Sequence, residues 1–214
     1  MHQGSIHQGK GLFAGGAPLR QAHGAMLMVH GRGATAFDIL SLSDELENLN
    51  FAYIAPQAAD NAWYPNGFMS PIPGNEPWLS SALATLEGVL SFIAKYMPYQ
   101  KIIILGFSQG ACLALEFAAR NARRYGGIVG LSGGLIGPDG TPRDYPGSFD
   151  GTPVFLGCSD VDPHIPKARV LHTEEVFTRM GASVTTRLYP GMGHTTNQDE
   201  IAAVKAIMSS ASHA

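Results

Sequence analysis

Charge is scarce in this chain. Only 14% of its 214 residues are Asp, Glu, Lys or Arg, the net charge is -3, and no run of Lys and Arg stands out. Nucleic acid is therefore not expected as a partner, because phosphate binding needs clustered cations. Cysteine is nearly absent as well. Cys112 and Cys158 cannot make a disulfide framework, and Cys112 falls inside an apolar helical pattern that reads as a buried thiol. Long hydrophobic runs are missing, so no bilayer span and no integral membrane association is expected. Met1-His2-Gln3-Gly4-Ser5 lacks the basic-then-apolar pattern of a signal peptide. Together these features point to a reducing cytoplasm. No paired His or Cys spacing fits zinc, and neither a metal nor a cofactor is expected. The 45% hydrophobic content instead fits one compact domain over 1–214 able to bury a large core; its oligomeric state, a homodimer included, is left open.

Short apolar runs alternate with longer helical patterns. The strand candidates are Ala25–Val29, Phe51–Ala55, Lys101–Phe107, Gly126–Leu131, Pro153–Gly157 and Ser183–Tyr189, with Gly11–Gly16 as an early edge strand within a frayed 1–20 segment. The helix candidates are Asp38–Leu49 (capped by Asp38), Leu79–Tyr96, Gln109–Arg120, Arg169–Met180 and Asp199–Ser210. Such alternation predicts a mostly parallel central sheet with helices on both faces. Ala62–Trp78, rich in Pro, Gly, Asn and aromatic residues, fits neither period. Long irregular loops at the carboxyl ends of parallel strands border ligand crevices. Trp63, Tyr64, Phe68 and Met69, with Trp78, are thus candidates for lining a substrate pocket; the plainer alternative is a self-packed loop covering the core.

The run Lys101–Phe107 leads into Gly106-Phe107-Ser108-Gln109-Gly110 and then into a helix. A serine on a sharp strand-to-helix turn is held exposed, with glycines on either side relieving crowding. Gly130-Leu131-Ser132-Gly133-Gly134 matches the same Gly-x-Ser-x-Gly pattern but runs on into a turn-rich loop, so Ser132 reads as a loop serine. A serine hydroxyl needs a base, and the base needs an orienting carboxylate. Of the eight histidines, His2, His7 and His213 fall in expected tails, His172 in a helix, and His23 and His30 before the nucleophile. His194 follows the last strand and precedes the last helix. The acid is sought after Pro153–Gly157, where Asp160 and Asp162 both stand; Pro163 fixes the turn behind Asp162 and favours it. For the oxyanion, the Gln109 N–H and the Arg32 N–H, in His30-Gly31-Arg32-Gly33, are the candidate donors. His30 itself reads as a structural hydrogen-bonding residue.

From His30 to His194 these motifs, with Asp162-Pro163-His164-Ile165-Pro166 and Gly193-His194, resemble the phospholipase/carboxylesterase group of α/β-hydrolases, which includes bacterial carboxylesterases and acyl-protein thioesterases. The resemblance implies a compact α/β-hydrolase fold without a large lid, no cofactor, an acid at the aspartate before proline, and a small-molecule ester or thioester substrate. The chain departs from the pattern at Arg32, where an apolar residue is common, at His164, and in Ala62–Trp78. Three other readings compete. A dienelactone-hydrolase-like enzyme would carry cysteine where Ser108 stands. A dinucleotide-binding protein is signalled by Gly31-Arg32-Gly33-Ala34-Thr35-Ala36, but Phe51–Ala55 lacks the following acidic residue. A non-catalytic binder would have no need of Ser108, Asp162 and His194 together.

Overall fold

The computed structural model describes residues 6–48 and 50–212. Among these residues seven strands form one sheet in the order β1-β3-β2-β4-β5-β6-β7: β1 (Leu12–Gly16), β2 (Gly24–Val29), β3 (Phe51–Pro56), β4 (Ile102–Phe107), β5 (Gly127–Leu131), β6 (Pro153–Ser159) and β7 (Ser183–Tyr189). Only β1 is antiparallel, pairing with β3 at the sheet edge. This is the mostly parallel sheet expected from the alternating runs, in the α/β-hydrolase arrangement that the resemblance implies.

The central strands are apolar on both faces because helices cover both. Leu27, Ile102 and Ile104 join the core beneath α3 (Trp78–Ile93), α4 (Gln109–Arg120) and α5 (Lys167–Arg179). Met26, Ile103 and Leu105 face the opposite way, towards α1 (Ala36–Leu40), α2 (Leu42–Leu46) and α6 (Gln198–Ser212). Adjacent residues of one strand thus serve different cores. After β2 the chain turns to β3 on one side, and β4 later takes the other side. The carboxyl ends of β2 and β4 therefore flank a topological switch point, where crevices open in such sheets.

Two local expectations need correction. The single helix Asp38–Leu49 is two short helices, and Leu49 lies outside the described residues. Its cap is Thr35 rather than Asp38: Thr35 Oγ1 accepts from the Asp38 N–H and Asp38 Oδ2 accepts from the Thr35 N–H, a capping box. The N-terminal segment is not frayed as far as His7, which is 2% exposed. Its Nδ1 accepts from the Ala59 N–H at 3.0 Å, so Nε2 carries the proton donated to the Trp63 carbonyl at 3.0 Å. Burial lowers the His7 pKa and favours this neutral form. His2, His213 and Met1–Ser5 lie outside the described residues.

Helix α6 opens on a reciprocal pair, with Asn197 Oδ1 accepting from the Glu200 N–H and Glu200 Oε2 accepting from the Asn197 N–H. The other oxygen, Glu200 Oε1, is buried against Gly157 without a partner among the described residues. Burial raises the Glu200 pKa from 4.5 to about 7. The folded chain then holds a proton that the unfolded chain releases. This group's contribution to stability is full below about pH 4.5 and is lost as pH rises through about 7. From pH 5 to about 7 the Tm of Glu200→Gln is expected to gain on wild type, and the gain is expected to level off above that. Parallel Tm curves would place the proton elsewhere.

Candidate active site

Ser108 sits between β4 and α4 at φ 56°, ψ -123°, a conformation costly for a non-glycine residue and characteristic of sites where geometry is forced. The flanking glycines make the turn feasible. A Cβ on Gly106 would strike the Gly110 carbonyl, and one on Gly110 would strike the Val29 carbonyl, so helix and strands close up only without side chains there. The serine side chain is thereby lifted above the sheet.

His194 and Asp162 reach Ser108 from the ends of β7 and β6. His194 Nε2 lies 2.8 Å from Ser108 Oγ, and His194 Nδ1 lies 2.7 Å from Asp162 Oδ2. An ionised carboxylate only accepts, so Nδ1 bears the hydrogen and Nε2 is left to accept from the serine hydroxyl. The Asp162 side chain is fully buried, and its second oxygen accepts from the His164 and Ile165 N–H groups at 2.8 and 3.0 Å. Burial alone would raise the Asp162 pKa, but the bonds from His194, His164 and Ile165 outweigh it and hold the carboxyl below the usual range. Asp160 points elsewhere: Oδ1 accepts from the Gly191 N–H at 2.9 Å, fastening the loop that carries His194.

Gln109 opens α4, where first-turn N–H groups have no intrahelical acceptor, and the Arg32 N–H has no partner among the described residues. Gly31 brings the β2 loop close, since a Cβ there would lie 3.4 Å from Ser108 Cβ. Both candidate oxyanion donors thus belong to segments that lie beside Ser108. The Gln109 side chain has a separate role that its position in the motif does not reveal. Oε1 accepts from the Trp63 N–H at 2.9 Å and Nε2 donates to the Tyr64 carbonyl at 2.8 Å, which ties the aromatic loop to the elbow. His30 is structural, as expected: Nε2 accepts from the Ala58 N–H at 3.1 Å, Nδ1 donates to the Gly31 carbonyl at 2.8 Å, and burial lowers its pKa.

A cavity of about 400 Å³ opens over Ser108 and His194, walled by Tyr64, Phe68, Phe107 and Ile165. The candidate lining residues divide here. Tyr64 and Phe68 stand on the wall. Trp63 does not: it is 0% exposed, its ring lies 4.9 Å from that of His30, and its indole N–H donates to the His30 carbonyl. An indole whose N–H is satisfied inside the core serves packing. Met69 borders a different hollow, beside Pro138 and Arg169, and Trp78 begins α3. Ser132 is fully buried at the end of β5, with its N–H donating to the Gly157 carbonyl at 2.7 Å. Both cysteines are free and buried. No group of three or more His, Cys, Asp or Glu among the described residues is placed to hold a metal ion, and no helix among them is long and apolar enough to cross a membrane.

Residues 16–212 match the model of the phospholipase/carboxylesterase family. The chain belongs to that family. A crystal structure of a phospholipase/carboxylesterase from Dyadobacter fermentans is 44% identical, covers 93% of this chain and 96% of its own, and superposes with a TM-score of 0.89. Acyl-protein thioesterase 1 of Saccharomyces cerevisiae is 35% identical over 132 residues, 59% of this chain and 57% of that protein. The corresponding protein of Debaryomyces hansenii is 34% identical over 107 residues, 50% of this chain and 46% of its own. The chain spans about half the length of the curated relatives it matches. Zea mays acyl-protein thioesterase 2, at 18% identity and a TM-score of 0.73 over 94% of this chain and 98% of its own, shares the fold. Membership of this family sets aside the dinucleotide-binding reading.

Proposed function

We propose that this protein is a serine hydrolase that cleaves carboxylic esters or thioesters through an acyl-enzyme on Ser108. The observation that carries the reading is the unbroken chain of hydrogen bonds from Ser108 Oγ through His194 to the buried Asp162 carboxylate, 2.8 and 2.7 Å long. His194 takes the hydroxyl proton as Oγ attacks the carbonyl carbon. The negative charge that develops on the carbonyl oxygen is met by the N–H groups of Gln109 and Arg32. As the tetrahedral adduct collapses, His194 returns the proton to the leaving alcohol or thiol. Water then repeats the sequence on the acyl-serine, freeing the acid and restoring Ser108. Asp162 stays ionised and stabilises the imidazolium formed in each step. No cofactor enters this scheme. A cytoplasmic setting belongs to the reading and is supported by the two unpaired, buried thiols.

Tyr64 and Phe68 are proposed to set substrate size. A panel of aryl esters and thioesters of increasing acyl length tests this together with the reaction class. Phe68→Ala is expected to change the ranking of short against medium acyl chains, because it enlarges the wall of the cavity. Trp63→Ala is expected to leave that ranking unchanged and to cost about 3–5 kcal/mol of stability, measured by denaturant unfolding, as for a large aromatic removed from a packed core. A wild-type protein inactive on every member of the panel would remove the esterase reading.

A further inference from the structure

The cleft is electrically lopsided. On one side of Phe107 and His194, the cavity over Ser108 is bordered by Arg32 and His164 and by no carboxylate. On the other side, a second hollow of about 390 Å³ shares Phe107 and His194 but is bordered by Asp38 and Glu45, with Ser41, Thr195 and Thr196. Arg32 is exposed and has no ion-pair partner among the described residues. Its guanidinium is nonetheless fixed in place, because Nη1 donates to the Pro65 carbonyl at 2.9 Å and Nη2 to the Tyr64 and Asn66 carbonyls at 2.9 and 2.6 Å. These bonds use three of its five N–H groups and leave two uncommitted. Neutral carbonyls also leave its charge uncompensated.

We propose that the substrate carries a carboxylate, and that this group docks on the Arg32 guanidinium with help from the His164 imidazole. The proposal rests on the serine-hydrolase reading of the same site. A guanidinium already held by three carbonyls has little side-chain freedom left to lose on binding an anion, which favours affinity. With both Nη2 hydrogens committed, the free groups are Nε–H and one N–H of Nη1, on opposite edges of the guanidinium, so a carboxylate oxygen takes one of them, and charge-assisted bonds of this kind are the stronger class. His164 is exposed, and its ring stands 4.9 Å from that of His194, nearly perpendicular to it. His164 lines the same cavity as Arg32, so an N–H of its ring is available to an anion bound there. The apolar walls, Tyr64, Phe68 and Ile165, would hold the uncharged body of the ester between the two polar ends.

Two matched substrate pairs test the idea on the intact protein. One pair carries the charge on the acyl side, 4-nitrophenyl hydrogen glutarate against 4-nitrophenyl pentanoate. The other carries it on the alcohol side, 4-carboxyphenyl acetate against 4-methylphenyl acetate. In at least one pair, Arg32→Met is expected to lower kcat/KM for the charged member about ten-fold more than for its neutral partner. Arg32→Lys, which keeps the charge, should lose less of that discrimination, and 0.5 M NaCl should narrow it in wild type. Equal losses for both members of both pairs would overturn the proposal and make Arg32 a loop clamp only. Failure of the esterase reading itself would look different, since wild type would then turn over neither member of either pair.

Discussion

Ser108→Ala is expected to abolish turnover, lowering kcat on the order of 10⁶-fold, while leaving the fold in place. Alanine meets the same φ of 56° that serine already tolerates, so the exchange adds no new backbone strain. The loss is chemical. Without Oγ, His194 has no hydroxyl to deprotonate, and the Gln109 and Arg32 N–H groups can only polarise a carbonyl for attack by water. In the proposed mechanism nucleophile and base act as one unit, so Ser108→Ala combined with His194→Ala is expected to be no slower than Ser108→Ala alone. Multiplying losses in the double variant would mean that the two residues work independently. Ser132→Ala is expected to leave kcat nearly intact, since Ser132 is fully buried.

Asp162→Asn should have the second largest effect, about 10⁴-fold in kcat. The carboxylate now only accepts from His194 Nδ1, across 2.7 Å, which leaves Nε2 free to accept from Ser108. An amide whose NH₂ turns towards Nδ1 would reverse the tautomer and put a hydrogen on Nε2, facing the serine hydroxyl. Asp160→Asn is expected to do far less, because the amide oxygen can still accept from the Gly191 N–H. The comparison needs only steady-state kinetics on one ester. Equal, small losses from both replacements would mean that neither carboxylate orients the base.

Much of this arrangement is legible in the amino-acid sequence for identifiable physical reasons. Central parallel strands must be apolar on both faces, so Ile102 to Leu105 stand out as a continuous run, and a strand-turn-helix passage with glycines around Ser108 has few other uses. His194 stands out by its place after the last strand, whereas the end of β6 offers both Asp160 and Asp162, and only Pro163 and the family resemblance favour the latter. What the sequence conceals is orientation within irregular chain. In Ala62–Trp78 no period tells which ring faces inward, and Trp63 and Phe68 look alike as candidates. Their separation depends on His7 and His30, whose rings lie 5.4 and 4.9 Å from that of Trp63, far away in sequence. The side-chain bonds of Gln109 and Arg32 to the same loop, and of Asp160 to Gly191, are likewise long-range and leave no local signature. The break between α1 and α2 is concealed for a different reason: the leucines of Asp38–Leu49 keep helical spacing across it.

The central claim is that Ser108 becomes covalently acylated, and the most direct measurement is the site of reaction with a fluorophosphonate. After incubation of wild type with the reagent, the intact mass should rise by one phosphonyl group. Peptide mapping should then place that group on the Gly106-Phe107-Ser108-Gln109-Gly110 segment, with labelling absent in Ser108→Ala and retained in Ser132→Ala. Labelling that persists in Ser108→Ala, or that maps to Ser132, would contradict the account.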